Sequence, residues 1–134
     1  MNGVIVVRSL LVPDTGVTAL VPAVRIVAGM LPQGTSLPAI SLMSVSSTDR
    51  NIAAPGPKRR VTERVQVTVL TASYPVAKAI IRAVRAAAAD RMPAIDGLTD
   101  VTVHTDSAGP DFLDEETGIH MQTQDFRVSF NEAR

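Results

Sequence analysis

Two histidines and one acidic run are the residues with the most evident chemical potential in this 134-residue sequence. His104 and His120 lie far apart, in two candidate strands that could pair. A metal centre needs further ligands converging on the same point, and no clear third ligand accompanies them. They read as surface strand histidines. Asp106, Asp111, Asp114, Glu115 and Glu116 form the richest acidic cluster, but their spacing is not that of a calcium loop. The cluster reads as a solvated or interface loop. The sequence has no Cys, which excludes disulfides, thiolate nucleophiles and Cys-ligated zinc. Nucleophile elbows, dinucleotide-binding and phosphate-binding glycine loops and HExxH are all missing. Glu63 could serve as an acid or base, yet nothing in the sequence brings a second carboxylate to it. Lys58-Arg59-Arg60 with Arg64 could grip phosphate, but no aromatic interleaves them and the formal net charge is +0, unlike a general nucleic-acid binder. The expectation is a protein without catalytic site, cofactor or metal.

Charge is balanced in total and unbalanced along the chain. Residues 1–49 are neutral. Residues 50–91 hold nine basic and two acidic side chains; residues 92–134 hold two basic and nine acidic ones. Opposite segments can satisfy each other within one molecule, or attract copies of the chain head to tail. Head-to-tail contacts make rings when the rotation closes. The expected basic contributors to such a contact are Arg59, Arg60, Arg64, Arg82 and Arg85. The acidic ones are Asp111, Asp114, Glu115 and Glu116.

These residues need a scaffold. The length fits a single domain over residues 1–134. Hydrophobic residues make up 46% and aromatics only 3%, so the core must be aliphatic. No apolar run is long enough for a transmembrane helix, and Val4 to Val12, interrupted by Arg8, does not read as a signal peptide. That segment has strand propensity, yet Val4, Val7, Leu10 and Leu11 also share a helical face. A short helical turn follows, capped by Asp14 or Thr15. Val24–Ala28 and the segment opened by Pro38 are strand candidates. Ser46–Lys58, with Pro55, Gly56 and Pro57, reads as a protruding loop. Val61–Thr71 is the clearest strand: Val61, Glu63, Val65, Val67 and Val69 share one face. Ser73 and Pro75 start a helix running to Asp90, with Val76, Ile80, Val84 and Ala87 on its apolar face. Leu98–Thr105 and Ile119–Phe130 are the last strands. In the latter, apolar residues switch from odd to even positions, which requires a bulge near Thr123–Asp125 or a first half that faces a partner. The class is α+β: a mostly antiparallel sheet of four or five strands, with helices on one face.

Several segments resemble the tail-completion, or tail-terminator, proteins of long-tailed phages and prophages. They are Thr18-Ala19-Leu20-Val21 with Arg25-Ile26, then Leu31-Pro32-Gln33-Gly34 and Leu37-Pro38-Ala39-Ile40. Next are Arg64-Val65-Gln66-Val67, Thr71-Ala72-Ser73-Tyr74 and the Ala-rich stretch Ala77–Ala89. Last are Asp114-Glu115-Glu116-Thr117-Gly118 and Gln124-Asp125-Phe126-Arg127-Val128. The β-branched Val4–Val12 departs from the N-terminal helix of that family.

The resemblance implies a homo-oligomeric ring, typically a hexamer, that stops polymerisation of the tail tube and joins tail to head. The implied partners are the major tail tube protein and the head-completion or connector protein. DNA would pass through the lumen without sequence recognition, and no membrane is involved. The implied location is the head–tail junction of a virion made in the bacterial cytoplasm. Arg50, Asn51, Pro55, Gly56, Pro57 and Lys58 are then candidates for contacting a stacked ring. A small monomeric α+β adaptor or binding module, or a neighbouring head-completion protein, are the alternatives.

Overall fold

Burial of one face decides the ambiguous N-terminal segment. The computed structural model describes residues 2–134, and helix α1 spans Asn2–Leu11. Val6, Val7 and Leu11 are completely buried. Apolar cover on one side outweighs local β propensity, because tertiary packing supplies most of the stability of a short helix. Helix α2, Thr15–Thr18, is capped by the Asp14 carboxylate, which accepts from the Val17 N–H. A 3₁₀ turn at Ala23–Arg25 leads into strand β1, Ile26–Ala28.

Strands β2, Ala39–Arg50, and β3, Lys58–Thr71, form a long hairpin. This corrects the expected loop: only residues 51–57 are irregular, because Ser46–Arg50 contains no breaker and pairs with Arg60–Arg64. Helix α3, Tyr74–Ala88, follows. It ends earlier than expected, with Ala89 extended and Asp90 at φ 57°, so the chain has already turned back before Pro93. Ser73 stands at the N-cap position, but its hydroxyl makes no capping bond. The helix is also rolled relative to its expected face. Ala77, Ile81 and Ala88 are buried with Ile80, Val84 and Ala87, whereas Val76 is exposed.

Strands β4, Leu98–Ala108, β5, Phe112–Asp114, and β6, Ile119–Ala133, complete a six-stranded sheet. Its order is β1-β2-β3-β6-β4, with β5 paired to β6. Among the described residues only the β1–β2 pair is parallel. One strand exceeds the four or five expected; β5 is the short strand that forms inside the acidic loop.

The register between β3 and β6 is unbroken from Lys58↔Ala133 to Thr71↔His120. No bulge therefore separates the two halves of β6 along β3. The even positions Gln122, Gln124, Phe126, Val128 and Phe130 face the helices, opposite the odd positions of β3. Ile119 and Met121 lie on the other, helix-free face. The core between helices and sheet is aliphatic, apart from Phe126 and Phe130. Each fully buried Val, Ile or Phe there contributes about 1.5–3 kcal/mol. Among the described residues, no helix is long and apolar enough to cross a membrane.

Candidate functional site

The helix-free face of the sheet carries a charged network. Arg64 is on β3, at an even position that the valine alternation forces outward. Its Nε donates to Asp125 Oδ2 at 2.7 Å and lies 3.5 Å from Asp106 Oδ2. Arg127 Nη2 donates to Asp106 Oδ1 at 3.3 Å. The hydrogen bond from Arg64 to Asp125 raises the guanidinium pKa further. Asp125 is 3% exposed. One expected basic contributor is thus satisfied within its own chain.

Other candidates are spread over three regions. Arg59 Nη1 lies 3.6 Å from Asp49 Oδ2, across the hairpin. Arg60 Nη1 donates to the Asp100 carbonyl at 2.7 Å and to Asn131 Oδ1 at 3.4 Å. Arg85 Nη1 donates at 2.7 Å to Oε1 of the buried Gln124. Arg82 is exposed on α3. At the hairpin tip, Arg50, Asn51, Pro55, Gly56, Pro57 and Lys58 are all exposed. The tip is tied back by Arg134 N–H donating to the Pro57 carbonyl at 2.9 Å, and by Lys58 Nζ donating to Thr99 Oγ1 at 3.3 Å.

On the acidic side, Asp111 accepts from Lys78 Nζ at 2.6 Å and from the Tyr74 hydroxyl at 2.7 Å. The Lys78 hydrogen bond, followed by that of Tyr74, holds the Asp111 carboxyl below its ordinary value; the same bond raises Lys78. Asp114 caps its own turn, accepting from the Glu116 N–H at 3.1 Å. Glu115 and Glu116 are exposed and make no ion pair among the described residues.

The histidines do not converge. His104 Nδ1 is 2.8 Å from Asp90 Oδ1, while His120 meets the Tyr74 ring edge to face at 6.0 Å. Among the described residues, no group of three His, Asp or Glu side chains could hold a metal ion. Sequence reasoning overlooked Phe112 and Leu113, which are 55% and 46% exposed on β5. Two adjacent apolar residues inside an acidic run were the available signal.

The model of the family described as tail completion protein gp17 matches residues 6–130.

The chain belongs to that family.

The family makes it a structural component of a virion tail. No curated protein matches the sequence. Among solved structures, a chain from the virion of a native gene transfer agent particle superposes with a TM-score of 0.74 at 20% identity. The match covers 97% of this chain and 96% of that one. At that identity the likeness concerns the fold. Residues 2–11 form a helix despite their β-branched sequence.

Proposed function

We propose that this tail-completion protein acts as one domain over residues 1–134, that copies of it close into a ring, and that the ring ends the tail tube and joins it to the head. A hexamer is the expected ring. The carrying observation is the family match over residues 6–130. Two features of the chain support it. The described residues bring no group of three metal-ligating side chains together, and the acids of residues 98–118 gather at the β4–β5 border of the sheet. In this reading the hairpin tip, residues 51–57, meets the tail tube protein or the head-completion protein. DNA passes through the lumen without sequence recognition. The protein is made in the bacterial cytoplasm and resides at the head–tail junction.

The test is to remove the chain from the producing strain and image the particles. Overlong tails and unjoined heads are expected, together with a closed ring of the purified chain by native mass and negative stain. Normal joined particles without the chain would sink the reading. A strictly monomeric chain that leaves tail length unaffected would favour an adaptor role.

A further inference from the structure

We propose that strand β5 of one copy adds to the free edge of strand β2 in the next, so that the sheet continues across the joint. The proposal rests on the ring reading above and names its interface.

The receiving edge is built by an early stop in β1. That strand pairs only with Ile40–Leu42, and the last rung is Gly29 N–H to the Leu42 carbonyl at 2.8 Å. From Met43 to Arg50, β2 has no strand beside it on this border among the described residues. Where β1 stops, a cleft of about 470 Å³ opens between α1 and the sheet. Its walls are Val4 and Ile5 of α1, Ala28 and Gly29, and Leu42 to Ser44 of β2. Ile5 is 59% exposed there. Unpaired strand edges are templates for a further strand.

The donating edge is the opposite border. Strand β6 pairs with β3 on one side and with β4 and β5 on the other, and among the described residues β5 has no second partner. Side chains alternate between faces along a strand. Leu113 stands opposite His120, which stands opposite Thr71, so it points to the helix-covered face. Phe112 stands opposite Met121 and points to the helix-free face. The receiving edge has matching apolar ground on both faces. The cleft at Val4, Ile5 and Leu42 is on the helix side. Met43, opposite Gln66, is on the other, next to Met30. A continued sheet seats Leu113 in the cleft and Phe112 against Met43 together, and a one-residue slip would lose both contacts.

Charge selects the pairing. The receiving border, residues 25–50, carries Arg25, Arg50 and one acid, Asp49. Residues 98–118 carry six acids and no Lys or Arg. The acidic border repels its own copy and is attracted to the receiving one, so the contact is heterologous and is of the kind that closes rings.

The lack of Cys permits a direct test with Ile5→Cys and Leu113→Cys in one chain. Within a chain these positions lie near borders about 14 Å apart across three strand spacings, well beyond the ~7 Å reach of a disulfide. Every crosslink therefore joins two copies. Oxidation of the double variant should give a ladder of covalent multimers, and a mixture of the two single variants should give only the mixed dimer. Native mass of the wild type is read in parallel. A ring without crosslinks overturns this joint and leaves the ring standing. Crosslinks in open chains of unlimited length keep the joint and overturn the ring. A monomer without crosslinks overturns both. Self-dimers of either single variant, in preference to the mixed dimer, mean a two-fold contact and overturn the joint. Leu113→Asp supplies a readout without oxidation: unchanged far-UV circular dichroism, and association weakened about tenfold or more. Unchanged association would refute the seat of Leu113.

Discussion

The backbone N–H of Gly3 donates to Oε1 of the buried Glu63 at 3.2 Å, fixing the first turn of α1 against the centre of the sheet. A side chain at position 3 has no room. A Cβ there would stand 2.7 Å from Glu63 Oε2 and 3.0 Å from Val65 Cγ2. Gly3→Ala should therefore cost about 1–3 kcal/mol through forced displacement. Gly56→Ala, with nothing within 4 Å, should be neutral within about 0.5 kcal/mol. Urea unfolding of the three proteins checks this, and equal midpoints would show that α1 is not seated as described.

Arg64 and Asp125 should behave as a coupled unit. Arg64→Leu leaves a carboxylate that is almost fully buried without its closest cation, and should lower the unfolding midpoint. Asp125→Asn should lower it as well. The double variant should lose less than the sum of the two, because the second change removes the group stranded by the first. Strict additivity in a thermal-melt cycle would show that the bond is idle.

The Lys78–Asp111–Tyr74 contact predicts a pH dependence. The Asp111 carboxyl titrates below its unfolded value of 3.8, first through Lys78 and then through Tyr74. A carboxyl with a depressed folded value stabilises the fold above the unfolded value. That contribution is lost as pH falls through the folded one. Wild type should thus melt above Asp111→Asn at pH 7, and the gap should close as the pH drops below 3.8. A gap that persists or widens in acid would rule this out.

Removing residues 51–57 should leave the fold intact. The β2–β3 ladder already closes at Arg50↔Arg60, and loop shortening is cheap in entropy. Circular dichroism should be unchanged, while heads and tails fail to join in an in vitro complementation assay. Normal joining would remove the tip from the junction.

Reversing Glu115 and Glu116 to Arg should slow assembly at low salt. Reversing Arg59 and Arg60 to Glu in the same chain should partly restore it, and added salt should blunt both effects. The readout is the light-scattering rate of ring formation. Rates insensitive to all four changes would mean that these charges do not meet.

The valine alternation of β3 and the even-numbered apolar half of β6 were legible because a strand with one buried face shows its period directly. Glu63 was also placed correctly on the valine face. Residues 3–12 were not legible: the same valines satisfy a strand by propensity and a helix by spacing, and only the apolar ground supplied by β3 and α3 decides. The outward Met121 could be read, but whether a bulge or a partner explained it depends on the β3 register, a long-range fact. The acidic candidates looked equivalent in sequence. The fold separates Asp111, held by Lys78, from Glu115 and Glu116, which face solvent. Phe112 and Leu113, adjacent apolar residues in an acidic run, were the local signal of β5; no local pattern announced the cleft beside Ile5, because it arises where β1 stops.

Tyr74 is the sole tyrosine of a chain without tryptophan. It sits at the start of α3 with its hydroxyl on Asp111, one residue from the exposed Phe112. Ultraviolet emission from this protein is therefore the emission of one ring at one border of the sheet. A carboxylate acceptor quenches an excited phenol, so anything that pulls Asp111 away should brighten the signal. The molecule carries its own optical reporter of that border, readable in unlabelled protein as copies come together.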